Sequence, residues 1–387
     1  MAGQRSYLDY NASAPLLPSA REAMRAALEV DANPSSVHGE GREARRIIET
    51  ARRQVAALVN AKPDHVVFTS GATEAAATLL SPDWTMGRAP LRASKLYVAA
   101  SDHPCLLSGG RFAASDIRKI GVDRNGILDI EELKAALAGH DRSAGLPLVA
   151  VHIANNETGV IQPVREIGAV VKEAGGIAVF DAVQAAGRIL LDITKGYADF
   201  LILSSHKIGG PKGAGAMVGA SDLMMPRPLI CGGGQEKGHR AGTENTAAIA
   251  GFGAAAVEAS AALGKAGAIA EMRDRIEEVI GSIIPDAVFF GRHAPRIANT
   301  TFFAIPGVKA ETGQIAFDLA GVAVSAGSAC SSGKVGPSHV LKAMGVGDEE
   351  GALRVSIGPA TSENDLERFR AALAGIARRR RSSAEAA

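Results

Sequence analysis

Cysteine is scarce. The 387 residues hold three, Cys105, Cys231 and Cys330, and no Cys-x-x-Cys pair. That excludes a disulfide-built scaffold and a self-contained zinc site. Net charge is nearly absent, at +1, so no broad field gathers nucleic acid or an anionic membrane. A long hydrophobic run is missing too. The most apolar stretch, Ala247 to Val257, is interrupted by Gly251 and Gly253 and closed by Glu258. It falls short of the roughly 20 residues a membrane helix needs. The N-terminal residues Met1 to Asp9 carry no apolar signal core. The expectation is a soluble, cytoplasmic protein. Arg378 to Arg381 lead into Ser382-Ser383-Ala384-Glu385-Ala386-Ala387, which reads as a frayed, solvated tail over 379–387 rather than a nucleic-acid contact. Apolar residues, in contrast, are plentiful at 47%, enough for a substantial core. The length suits one large and one small domain.

The first half alternates strands and helices. Short apolar runs at Val66 to Phe68, Leu96 to Ala99, Leu148 to Ile153, Gly176 to Phe180 and Phe200 to Leu203 read as buried strands, and Ile117 to Ile120 as a further one. Helical patterns fall between or before them, at Pro18 to Val30, His38 to Val59, Ile130 to Leu137 and Val164 to Glu173. This is an α/β pattern: a large domain with a mostly parallel, doubly wound sheet. A long Ala-rich helix over about Thr246 to Ile280 leads to a smaller α+β domain. Its strands are expected at Val288 to Phe290, Thr300 to Ala304 and Val322 to Val324, and its helices at Ala310 to Leu319 and Ser362 to Arg379. The division expected is an arm over 1–16, a large domain over 17–250, and a linker helix with the small domain over 251–378.

Each strand of the large domain ends in polar residues, where ligands of such sheets bind. Phe200 to Leu203 runs into Ser204-Ser205-His206-Lys207 and then a glycine-rich turn. A lysine amine held there with little water loses its proton readily and forms a Schiff base with an aldehyde. Asp181 ends the preceding strand, 26 positions earlier. A pyridoxal phosphate (PLP) site needs this pair, the lysine to hold the aldehyde and the carboxylate to keep the pyridine nitrogen protonated. The junction Ser70-Gly71-Ala72-Thr73 opens a helix after a strand, so Ala72 and Thr73 can cradle a phosphate, with Ser204 and His206 beside them. Thr73 serves equally as an ordinary N-cap. His103, in Ser101-Asp102-His103-Pro104, is flat enough to cover the ring, while Gln184 and Asn156 can reach its hydroxyl. Taken singly, each residue has a plain structural use. The set, in this order on successive strand ends, points to the cofactor. Cys330 lies in Gly327-Ser328-Ala329-Cys330-Ser331-Ser332-Gly333, a small, mobile setting that suits a reactive thiol rather than a packed one. Cys105, at an apolar helix start, reads as packing.

The motifs YLDYNASAP, NPSSVHGEG, FTSGATE, SDHP, NNETGVIQP, FDAVQ, SSHKIGGPKGAGA, GGGQEKGHRAGTEN, GSACSSG and ALRVSIG follow one another from residue 7 to about residue 360. In that order the chain resembles a cysteine desulfurase of the NifS/IscS type, in the class V aminotransferase group of fold-type I PLP enzymes. The resemblance implies that Lys207 holds PLP, Asp181 pairs with the ring nitrogen, His103 stacks on the ring and Gln184 contacts its hydroxyl. Thr73, Ser204 and His206 would bind the phosphate, and Thr243 would reach the phosphate of a neighbouring subunit, which implies a homodimer. Arg354, aided by Asn11 and Asn156, would hold the substrate carboxylate. The implied reaction takes L-cysteine to L-alanine, leaves a persulfide on Cys330, and passes sulfur to an acceptor protein such as an iron–sulfur scaffold. No metal is implied. The asparagine usual shortly after the Thr-Glu pair of FTSGATE is missing, the stretch from Glu74 to His103 is short, and Cys231 and Ser205 replace commoner residues. Two other readings stay open here: a selenocysteine lyase or other class V transferase, and a non-enzymatic scaffold that binds a sulfur acceptor.

Overall fold

The computed structural model describes residues 5–327, 338–347 and 351–385, with side chains to residue 382. Among them the largest sheet has nine strands. In chain order its strands are β2 (Val66–Thr69), β3 (Asp83–Met86), β4 (Ala89–Ala99), β5 (Ile117–Ile120), β6 (Leu146–His152), β7 (Ile177–Asp181), β8 (Phe200–Ser204), β9 (Gly215–Gly219) and β10 (Met224–Pro226); the short β1 (Ser6–Tyr7) lies elsewhere. The spatial order is β10-β3-β4-β6-β7-β8-β9-β2, with β5 also on β4. The centre, β5-β4-β6-β7-β8, is parallel. Both margins, β10-β3-β4 and β8-β9-β2, are antiparallel. Every residue of β7 and β8 is buried, as expected for strands covered on both faces.

The helices are α1 (Pro18–Leu28), α2 (Gly39–Leu58), α3 (Ala72–Leu79), α4 (Pro104–Leu107), α5 (Ile130–Ala138), α6 (Val164–Glu173), α7 (Thr246–Ala262), α8 (Ala266–Ile283), α9 (Ala310–Leu319), α10 (His339–Ala343) and α11 (Glu363–Glu385). In α2, Ala44, Ile48, Ala51, Val55 and Leu58 make a buried stripe, while the arginines lie mostly on the other face. Two glycines set how closely α7 approaches its neighbours. A Cβ on Gly253 would stand 2.6 Å from Ala51 Cα, and one on Gly251 would stand 2.7 Å from Met24 Cγ. Packing of α7 on α1 and α2 therefore requires those two positions to lack a side chain.

The expected single helix over Thr246 to Ile280 is two helices. A 3₁₀ turn at Leu263–Lys265 separates α7 from α8. The whole stretch Thr246–Ile283 is long and apolar enough to cross a membrane by composition alone. Here α7 is instead a core helix, with Ile249, Phe252, Ala255 and Ala256 buried.

A second, four-stranded antiparallel sheet runs β11 (Val288–Phe289), β12 (Thr300–Ala304), β15 (Ala352–Ser356), β14 (Ser325–Ala326). Residues of α8, α9 and α11 form its core, with Phe317 stacked on Phe369 at 5.2 Å. The expected strand at Val322 to Val324 does not belong to this sheet. Its first two residues, β13 (Val322–Ala323), pair in parallel with β1 instead. The frayed tail expected over 379–387 is also corrected: α11 runs on to Glu385, and Arg380 Nη1 donates to Asp286 Oδ1 at 2.7 Å.

Candidate active site

The carboxyl ends of the parallel strands open on a cavity of about 600 Å³. Ala72, Thr73, His103, Asn156, Asp181, Gln184, Ser204, His206 and Lys207 all line it. Nine of the positions named from the sequence thus share one wall. The remaining four lie elsewhere or outside the described residues.

Lys207 follows β8 by three residues, in a 3₁₀ turn. Its Nζ donates to Asn11 O at 2.6 Å and to Ala12 O at 2.9 Å. Two carbonyls from the N-terminal arm thus fix the amine at the cavity wall. Asp181 ends β7, buried; among the described residues the hydrogen bond to its carboxylate comes from the Val183 amide, at 2.9 Å. Burial pushes its carboxyl up to about 6, against the opposing pull of the Val183 amide, His152 and Lys207.

His103 caps α4, its Nδ1 accepting from the Cys105 amide at 3.2 Å. That bond leaves the proton on Nε2. Burial, then the Lys207 charge, lowers its imidazole to about 4, so the ring is neutral at pH 7. Behind it Asp102 accepts from the backbone of Ala99 and of His152, and from His152 Nδ1. His206 is likewise held down to about 4, by burial and then by Lys207 and Lys212.

Across from these, α3 starts at Ala72 with Gly71 as its N-cap. Thr73 is therefore not the cap; it sits in the first turn, exposed. A Cβ on Gly71 would meet nothing within 4 Å. The helix start thus faces open space beside Lys207, Lys212 and the neutral imidazole of His206, an arrangement that takes an anion.

Arg354, on β15, is fully buried. Its Nη1 donates to Asn156 O at 2.9 Å and its Nη2 to Asp9 Oδ1 at 2.7 Å. Asn11, also buried, donates from Nδ2 to Thr300 Oγ1 at 2.9 Å and to Asn156 O at 3.2 Å. Arg354 and Asn11 stand behind the cavity wall, joined to it through Asn156. Thr243 lies exposed in the glycine-rich loop, away from this chain's own cavity. Cys330 lies outside the described residues. The chain resumes at Ser338, whose hydroxyl donates to Glu157 Oε2 at 2.5 Å, while His339 Nε2 donates to Asp102 O at 2.8 Å.

Sequence reasoning missed Lys212 and Asp9; Cys105, read as packing, is buried in an apolar core cluster and also lines the cavity. Burial first, then Asp181 and Asp102, pushes the Cys105 thiol up, so it stays protonated. Lys212 stood in plain view, one turn after Lys207. Asp9 carried no local signal, because its partner is 345 residues away.

The aminotransferase class-V family model matches residues 6–369. A cysteine desulfurase of Cereibacter sphaeroides is 38% identical over 374 residues, covering 95% of this chain and 94% of that protein. The cysteine desulfurase IscS of Dictyoglomus turgidum is 36% identical, covering 93% of this chain and 91% of that one. Among solved structures, a NifS-like protein of Rickettsia africae superposes with a TM-score of 0.86 at 32% identity, covering 96% of this chain and 99% of the other. The chain belongs to the aminotransferase class-V family, in its cysteine desulfurase branch.

Proposed function

We propose that this chain is a PLP-dependent enzyme that takes sulfur from L-cysteine and releases L-alanine. The observation that carries the reading is the convergence of Lys207, Asp181 and His103 on one cavity from the ends of successive elements. The residues fit the cofactor. Asp181 has a buried carboxylate whose charge burial disfavours, so a cationic ring nitrogen would satisfy it. The start of α3 offers open space at Gly71 for a phosphate, with Thr73, Ser204, His206 and Lys212 around it. His103 is a neutral, flat ring able to lie on a pyridine. When bound, the cofactor supplies an electron sink for the substrate α-carbon.

The chain's own groups do the rest. Lys207 would hold the cofactor through its amine, and its free amine is placed to take the substrate α-proton. Arg354, steadied by Asp9 and by Asn156 O, orients the substrate carboxylate with Asn11 and Asn156. The Cys330 thiolate attacks the substrate sulfur. A sulfur–sulfur bond forms as the substrate carbon–sulfur bond breaks, and the α-carbon fragment regains protons to leave as alanine. L-cysteine and one thiol thus become L-alanine and one persulfide. The sulfur then passes to an acceptor protein. Thr243, exposed and remote from its own cavity, suits a role in a second subunit and so a homodimer working in the cytoplasm. A large unit over 17–250, then a linker helix with a smaller unit over 251–378, is the division we propose.

The test is alanine and sulfide production from L-cysteine with a reductant. The native chain is expected to give both in equal amounts, and Cys330→Ala to lose sulfide formation by at least about a hundredfold, the loss of a nucleophile. Undiminished sulfide from Cys330→Ala would remove the thiol from the reaction.

A further inference from the structure

A second cavity, of about 420 Å³, lies on the other side of Lys207. Among the described residues, Lys207 alone lines both cavities. The walls of the second are mostly apolar: Leu16 and Leu17 from the N-terminal arm, Ile208 after β8, Ala262 at the end of α7, Ile269 on α8 and Ile357 after β15. Nothing in the proposed desulfurase reaction uses it.

One half-buried cation sits in its wall. Arg188 donates from Nη1 to Gln184 O at 3.0 Å and to Gln184 Oε1. Among the described residues no carboxylate pairs with it. The buried guanidinium groups Arg354 and Arg52 have Asp9 and Glu236. Nη2 and Nε of Arg188 are left for whatever occupies the cavity. The acid in the cavity lining, Glu258, is exposed, takes a hydrogen bond from Ser19, and is offset by the exposed Lys265. Burial, with the Arg354 charge adding to it, lowers Arg188 to about 9, still a cation at pH 7. A half-buried cation with no carboxylate partner, beside an apolar space, gains from an anion that joins it. Guanidinium groups take carboxylates in a two-pronged bond, and pockets of this size and lining take small molecules with one anchoring polar group.

We propose that this cavity binds a monocarboxylate with an unbranched apolar body, its carboxylate on Arg188 and its chain along Leu17, Ile208 and Ile269. The site is separate from the proposed cofactor cavity and stands or falls on binding, not on turnover.

Octanoate is the probe, titrated into the holoenzyme by calorimetry. Saturable binding at one site per chain is expected, with octan-1-ol at least tenfold weaker because it brings no charge. Arg188→Gln should weaken octanoate at least tenfold, in line with the loss of a charge-assisted bond, and Arg188→Lys should restore part of it. Ala262→Phe, which fills the cavity from the end of α7 and replaces no cofactor-site residue, should abolish octanoate binding and leave alanine production unchanged. The idea is overturned if octanoate does not saturate, if octan-1-ol binds as tightly, or if Ala262→Phe binds octanoate like the native chain. Should Arg188→Gln fail to fold, the alcohol comparison and Ala262→Phe still decide.

Discussion

Two buried carboxylates in this molecule are treated in opposite ways. Glu236, in the glycine-rich loop, meets Arg52 of α2 in a two-pronged pair, Nη1 to Oε2 at 2.7 Å and Nη2 to Oε1 at 2.8 Å, and its Oε2 also accepts from the Phe68 amide of β2 at 2.8 Å. Asp181, in the cavity, has a backbone amide and, among the described residues, no cation hydrogen-bonded to it. In the first region this acid and this base satisfy each other inside the fold. The second is left open, with its charge balance incomplete until something enters. A satisfied buried charge marks structure, and an unsatisfied one beside a cavity marks a site.

The pair at Glu236 gives the largest expected effect on stability. It anchors a loop whose backbone adopts positive φ at Glu236 and Lys237, 47° and 57°, so the loop relies on this contact to stay in place. Glu236→Ala strands the Arg52 guanidinium in the interior and should lower stability by about 3–5 kcal/mol, read as a shift in urea midpoint. Replacing both partners with apolar residues, Arg52→Met with Glu236→Leu, should recover much of that loss. If the single variant costs no more than the double one, the pair is not holding the loop, and the contrast with Asp181 fails.

Asp181→Asn should move stability the other way. In cofactor-free protein the native carboxyl, raised to about 6 by burial, costs stability once it ionises. The rise corresponds to about 3 kcal/mol against the charged form. A raised acid is most favourable to the fold at low pH, and the advantage fades as pH climbs through 6. Cofactor-free Asp181→Asn should therefore melt higher than native at pH 8, and the gap should close as pH falls towards 4. Alanine production should drop by roughly a hundredfold or more, because the ring nitrogen loses its counter-charge. Equal melting at pH 8 would show that the Asp181 carboxylate is already neutralised inside the fold.

What the sequence revealed follows the same division. Asn156, Asp181, Ser204 and Lys207 were legible because central parallel strands are continuous apolar runs, and each polar residue that ends one stands out against it. Arg354 was legible only through resemblance. It lies inside β15 among buried apolar residues, and no local pattern announces that its partner is Asp9, across the chain. Arg188 gave no sign at all, since its isolation depends on what packs around it. The break between α7 and α8 was hidden because Leu263-Gly264-Lys265 contains neither proline nor a polar cap. The antiparallel margin escaped for a related reason. β3 and β4 join through a tight turn at Gly87, φ 58°, and that one glycine was the available signal. The strand expected at Val322 was misassigned because sheet membership is set by β1, over 300 residues away in sequence.

Gly71 gives the smallest change in the fold and the finest test of the contrast. Its backbone is extended, φ 161° and ψ 176°, a conformation alanine adopts without strain. The added methyl would enter open space, so Gly71→Ala should leave the folding stability unchanged or slightly raised, by about 0.4–1 kcal/mol at most, through a less free unfolded chain. The same methyl would stand where the phosphate is proposed to lie. Retention of PLP, followed by its visible absorbance during dilution, should weaken roughly tenfold, the order of a 1–3 kcal/mol overpacking cost. At Gly253 the balance is reversed. A methyl there meets Ala51 backbone at 2.6 Å, and alanine should destabilise the α2–α7 contact with no direct effect on the cofactor. If Gly71→Ala holds PLP as firmly as the native chain, the open space beside α3 is not where the phosphate sits.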